Sequence, residues 1–189
     1  MYKIRHKILL IFCLTASLLL LSLTATTAPV AVAKQQALSE YEVKVAYILN
    51  FIKFSTWPEN AFKDNQQDIV LGILGEDYFG DTLAAIDGQY IKNRHLQVIH
   101  LSRTDSPHGC HLLFIASSEH RHLKQILSGI QTEPILTISD IDNFAKDGGM
   151  IQIKKTSNKI KLFINANATT KARIQLRANL LKIATLVGQ

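Results

Sequence analysis

The sequence predicts a single α/β domain of three layers, with a mixed, mainly parallel sheet, helices on both faces, and a C-terminal β-hairpin followed by a helix. Three observations predict it. Short apolar runs alternate with helical patterns, the mark of strand–helix–strand units and a parallel sheet. Some of those runs are apolar without a break, as in Ile69-Val70-Leu71-Gly72-Ile73-Leu74, which fits a strand buried on both faces. The last two runs, at 150–165, are separated only by Ser157-Asn158, too little for a crossover, so they form an antiparallel hairpin.

The elements follow in order. Lys3, Arg5 and Lys7 precede a charge-free run from Ile8 to Leu23 and a small-residue stretch ending Ala31-Val32-Ala33. That layout is a secretory signal peptide, residues 1–33, cleaved after Ala33. The domain is then 34–189. Ser39-Glu40-Tyr41-Glu42 reads as a capping box opening a helix from about Glu40 to Phe54. Val43, Tyr47, Phe51 and Phe54 give that helix an apolar stripe. Trp57-Pro58 ends any continuation. After the strand 69–74 come a short helix at 79–86, a strand at 96–101, a strand at 111–115 and a helix at about 118–127. A strand at 135–138 and a turn at 140–144 lead to the hairpin. The final helix is expected over about Thr169 to Val187, with Leu176, Leu180, Ile183, Ala184 and Val187 as its inward face.

Charge and cysteine content narrow the function. The chain carries 21 Lys+Arg and 15 Asp+Glu, a net charge of +6. Three of the basic residues belong to the signal segment, so the exported part has 18 against 15, or +3. That balance does not call for a nucleic-acid partner, and the basic residues of the last helix read as its solvated face. Export into an oxidising compartment leaves Cys110 alone, without an internal partner. It is a candidate free thiol, or a buried inert one.

Catalytic and ligand motifs are missing or misplaced. His108, Cys110, His111, His120 and His122 lie close in sequence, but Cys110 and His111 are strand neighbours that point to opposite faces, and no zinc-type spacing occurs. Gly72, Gly75 and Gly80 lack the dinucleotide spacing, and Glu76 and Asp77 stand where a phosphate would sit. No nucleophile elbow is present. No metal, cofactor or catalytic residue is assigned. Apolar side chains remain as candidates for partner binding: Phe163, alone on the polar face of Lys159–Asn165, Ile151 beside it, and Tyr47 and Trp57 from the aromatic cluster.

Five segments in order resemble the YfiR-like family of exported proteins. They are Val45 to Phe54 with Trp57-Pro58; Leu74 to Gly80; Gly109 to Ile115; Ile135 to Asp140 with Phe144-Ala145 and Gly148 to Ile151; and Asn165 with Leu180 to Ala184. The resemblance implies a non-catalytic periplasmic α/β protein, a homodimer. It represses a membrane diguanylate cyclase by binding the cyclase's periplasmic region, which lowers cyclic-di-GMP and biofilm formation. An outer-membrane lipoprotein that sequesters the repressor is a further implied partner. Two departures stand out. The extra cysteines that form disulfides in such proteins are absent, and Arg177, Ala178 and Asn179 replace the small serines that precede Leu-Leu. The alternative is a periplasmic small-molecule-binding module, with a crevice beyond Leu74.

Overall fold

A computed structural model describes residues 28–157 and 159–188, with side chains from Glu40 onward. Most of the expected signal segment, residues 1–33, lies outside the described residues. Among those described, no helix is long and apolar enough to cross a membrane. Tyr41–Gln189 forms one compact unit.

The first element, α1 (Ala28–Phe54), differs from expectation at its start. Ser39 does not cap it; the helix is already under way. The segment before Ser39 is rich in Ala, Gln, Lys and Leu, all strong helix formers, and Pro29 falls where a first turn tolerates proline. Its inward face also differs. Val45, Ile48, Phe51 and Ile52 are buried, whereas Val43 is 41% exposed. The stripe keeps Phe51, with Tyr47 and Phe54 packed at its margin, but its centre is turned by about a third of a helix turn from Val43 and Tyr47.

The chain then builds eight strands into one sheet. They are β2 (Ile69–Leu74), β3 (Tyr90–Ile91), β4 (Arg94–Leu101), β5 (Leu112–Ile115), β6 (Leu136–Ser139), β7 (Ile151–Thr156), β8 (Lys159–Asn165) and β10 (Ala184–Val187), in the spatial order β10-β8-β7-β6-β5-β2-β4-β3. The pairs β4–β2, β2–β5, β5–β6, β6–β7 and β8–β10 are parallel. Only β3–β4 and the β7–β8 hairpin are antiparallel. A separate two-stranded ladder pairs β1 (Ser55–Thr56) with β9 (Gln175–Leu176).

Side-chain alternation along the strands sends apolar groups to both faces. On one face Leu71, Ile73, Leu112, Phe114, Leu136 and Ile138 join the α1 residues in the larger core. On the other, Leu113 and Ile115 pack with Leu123, Leu127 and Ile130 of α3 (Leu123–Ile130) and with Phe144. The sheet is therefore the middle of three layers. The short α2 (Asp81–Ala84) occupies part of the expected 79–86 helix, and a 3-10 turn at Ser117–His122 precedes α3.

The C-terminal helix is the main correction. Thr169–Val187 is not one helix but the end of α4 (Ala166–Lys171), then β9, α5 (Ala178–Lys182) and β10. Arg173 turns the chain at φ +58°, which a helix cannot pass. Gln175–Leu176 then pairs with Ser55–Thr56, and Ala184–Val187 pairs in parallel with Leu162–Asn165. Backbone pairing overrides a 3.6-residue apolar period that has no Gly or Pro to interrupt it. As a result β8 is not the edge of the sheet; β10 is.

Candidate interaction surface

The β7–β8 hairpin is where one face of the sheet is left without a helix. Its register places Gln152 opposite Phe163, Ile153 opposite Leu162 and Lys154 opposite Lys161. Ile151, Ile153, Leu162 and Ile164 point into the larger core. The intervening residues, Gln152, Lys154, Lys161 and Phe163, share the opposite face. The loop after β6 runs alongside it. Phe144 anchors that loop in the smaller core, and Asn143, at φ +62°, turns it back toward the hairpin.

Hairpin and loop together enclose a shallow cavity of about 220 Å³, whose lining includes Asn143, Lys146, Gln152, Lys154, Lys161 and Phe163. Phe163 is half-buried, between Gln152 on β7 and Thr185 on β10. Lys154 reaches Asp142 at 2.6 Å in a solvent-exposed ion pair. The result is an aromatic ring rimmed by three lysines. Such a surface can seat an apolar knob while its ammonium groups meet carboxylates around it, the apolar-centre, polar-rim pattern of protein interfaces.

The other residues singled out from the sequence go elsewhere. Ile151 is fully buried and presents nothing to a partner in this fold. Trp57 is 9% exposed and donates its indole N–H to the His111 carbonyl at 3.1 Å. Tyr47 is half-buried against the larger core, its ring 6.1 Å from that of Phe51. These positions are not brought together with Phe163.

Cys110 and His111 separate as strand neighbours should. Cys110 is buried, and burial pushes its thiol up to about 11, so it carries little thiolate at neutral pH. The His111 Nδ1 accepts the Val70 backbone N–H at 3.0 Å, so its proton sits on Nε2, which donates to the Ala61 carbonyl at 3.1 Å. Its ring stacks on Phe62 at 4.1 Å, and burial brings its pKa down to about 4. His111 is a neutral tether between β2, β5 and the loop at Ala61. His108 pairs with Glu133 at 2.7 Å, away from that tether. Among the described residues no group of three or more His, Cys, Asp or Glu is placed to hold a metal ion.

The crevice expected beyond Leu74 lies between the ends of β2 and β5, where connections leave in opposite directions. A side-chain contact bridges the two strand ends there. The Glu76 N–H donates to the Ser118 Oγ at 2.9 Å, and a Cβ added at Gly75 would come within 2.6 Å of that oxygen. Glu119 is 5% exposed and held by Arg103 through contacts of 2.8 and 3.2 Å. That guanidinium keeps the Glu119 carboxyl below the usual carboxylate range.

One charged pair escapes a reading of the sequence. Lys44, 2% exposed, donates to Asp140 at 2.6 Å and lies over the Tyr41 ring at 4.1 Å. It ties α1 to the end of β6. A lysine beside Val43 and Val45 gives no sequence signal of this, because the helix face it lies on depends on packing.

No curated protein matches the chain. The model of the family described as YfiR/HmsC-like matches residues 41–185, nearly the whole compact unit. The match spans α1 from its first aromatic and the sheet as far as the first two residues of β10, and so includes the β7–β8 hairpin that carries the Phe163 surface. The chain belongs to the YfiR/HmsC-like family.

Proposed function

We propose that the protein is a periplasmic regulator that holds a membrane diguanylate cyclase inactive by contact with the cyclase's periplasmic region. The family is regulatory rather than catalytic, and membership in it is the observation that carries this reading. The N-terminal pattern from Lys3 to Ala33 supports export to the periplasm. Lower cyclic-di-GMP and less biofilm are the downstream effects. A homodimer is the working form, and an outer-membrane lipoprotein that sequesters it would release the cyclase.

The contact is made through the open face of the β7–β8 hairpin. Phe163 supplies the apolar centre, and Lys146, Lys154 and Lys161 supply the charge that selects an acidic rim on the partner. Repression requires only that the protein bind the inactive cyclase more tightly than the active one. Moving a two-state cyclase from about 1% to about 99% inactive takes roughly a 10⁴-fold difference in affinity between the two states.

Deleting the gene tests the reading. Cellular cyclic-di-GMP should rise and return to its starting level on complementation. Unchanged cyclic-di-GMP in a deletion strain that retains an active cognate cyclase would overturn it.

A further inference from the structure

A second cavity lies on the same side of the sheet as the Phe163 groove, between α3, the starts of β6 and β7, and the segment that follows β8. Its volume is about 240 Å³, and its lining includes Lys124, Leu127, Thr137, Met150, Asn165 and Lys171. That volume is below the roughly 300–1,000 Å³ of sites for drug-sized ligands, so any occupant is small.

Two buried side chains in the wall, Thr137 and Asn165, have a donor to spare. Thr137 is 2% exposed, and its hydroxyl oxygen accepts the Met150 N–H at 3.0 Å. The hydroxyl proton has no protein acceptor among the described residues, so Thr137 is left with a donor to offer. Asn165 is 7% exposed. Its Oδ1 accepts the Ala168 N–H at 2.9 Å, and its Nδ2 donates to the Ala145 carbonyl at 2.8 Å. These two bonds fix the orientation of the amide and leave its second Nδ2 proton unused.

Two buried side chains therefore each keep one unused donor beside an oxygen that already accepts a bond. Charge points the same way. Lys124 and Lys171 line the cavity, and neither is in an ion pair among the described residues. Asp147 is the one acid on the lining, against those two lysines. Leu127 and Met150 form the apolar part of the wall.

We propose that this cavity binds a small carboxylate with a short apolar body. The carboxylate oxygens accept from Thr137 and Asn165 and lie within the field of Lys124 and Lys171. The apolar body packs against Leu127 and Met150. The site is separate from the Phe163 groove and does not depend on the cyclase reading. Because Asn165 and Phe163 are two residues apart on one face of β8, the two lie side by side.

Titration calorimetry on the purified protein tests this with a set of probes: straight-chain carboxylates of four to eight carbons, 4-methylpentanoate, phenylacetate, the neutral amides of the last two, and inorganic phosphate. At least one carboxylate should bind saturably, about tenfold or more tighter than its amide and than phosphate. The double variant Lys124→Met/Lys171→Met, whose side chains are exposed and whose loss leaves no partner buried, should weaken that carboxylate about tenfold with little change for the amide. Three results would overturn the proposal: no carboxylate binding saturably at about 10 mM, equal binding of acid and amide, or phosphate binding as well as the best carboxylate. Unchanged carboxylate affinity in a folded double variant would place binding elsewhere and overturn it too.

Discussion

The centre of the sheet and its β7–β8–β10 end are built from the same kind of strand and used differently. At the centre, β5 and β6 have every residue buried, with α1 on one side and α3 on the other. At the end, β7 and β8 bury apolar side chains, Ile151, Ile153, Leu162 and Ile164, on one side only, and what is buried on the other, Gln152 and Asn165, is polar. Their other side carries Gln152, Lys154, Lys161 and Phe163 around a cavity. Two-sided burial gives stability and leaves nothing for a partner to read. One-sided burial gives up some stability and leaves a chemically distinct face.

This contrast predicts unequal costs for the same substitution. Phe114 on β5 is 1% exposed and meets Phe79 edge-on at 4.8 Å. Phe114→Ala should cost about 3–5 kcal/mol, the transfer and cavity terms together. Phe163→Ala, on the open side of β8, should cost about 1 kcal/mol, near the average for point changes. Urea unfolding midpoints measure both. Similar losses for the two would mean that the hairpin face is covered as fully as the centre.

The sequence shows this contrast plainly, because it is written in side-chain period. Ile69–Leu74 is apolar throughout, while Lys159–Asn165 alternates, and the layers follow. The hairpin is legible from its two-residue connection. The C-terminal region is not. Leu176, Leu180, Ile183 and Val187 match a helical period, yet they belong to two strands and the segment between them. What decides their fate is distant: Ser55–Thr56 and Leu162–Asn165 offer backbone partners that no local pattern encodes. The start of α1 fails for a different reason. Ser39-Glu40-Tyr41-Glu42 has the composition of a cap, but good helix formers before it carry the helix through. The Phe163 surface was half legible. Alternation isolated Phe163 on a polar face, but it could not show the lysine from the loop at Lys146. It also paired Phe163 with Ile151, which faces the other way.

Acid sharpens the comparison, because the centre has a titrating tether. His111, at the entry to β5, is held neutral with its pKa brought down to about 4, against an ordinary value of 6.5. Above pH 6.5 it is neutral in both folded and unfolded chains and contributes no pH dependence. As pH falls from 6.5 toward 4 the unfolded chain takes up the proton and the folded chain does not, so stability falls with pH. Below about 4 the folded form is protonated as well and the loss levels off. The shift corresponds to roughly 3 kcal/mol over that window. Urea unfolding of the wild-type protein and of His111→Gln across pH 4–7 measures it. The slope should be distinctly shallower in the variant, whatever its absolute stability. Equal slopes would show that other groups dominate acid sensitivity.

The smallest expected change in stability is the one with the largest expected consequence for function. Phe163→Asp places a carboxylate among Lys146, Lys154 and Lys161 on the half-buried floor of the groove. The three ammonium groups offset part of the lost apolar contact, so the unfolding free energy should move by about 1 kcal/mol or less. A partner that seats an apolar knob on Phe163 and carboxylates on the lysines meets the opposite of what it needs. It loses the ring and gains a like charge at the centre of the contact, where substitutions in interfaces cost most. In a deletion strain, the variant should therefore accumulate as a folded protein and leave cyclic-di-GMP high, whereas the wild-type protein lowers it. Full repression by Phe163→Asp would move the contact away from the hairpin. A variant that cannot fold would mean that Phe163 belongs to the core, and the open face would then be no different from the centre of the sheet.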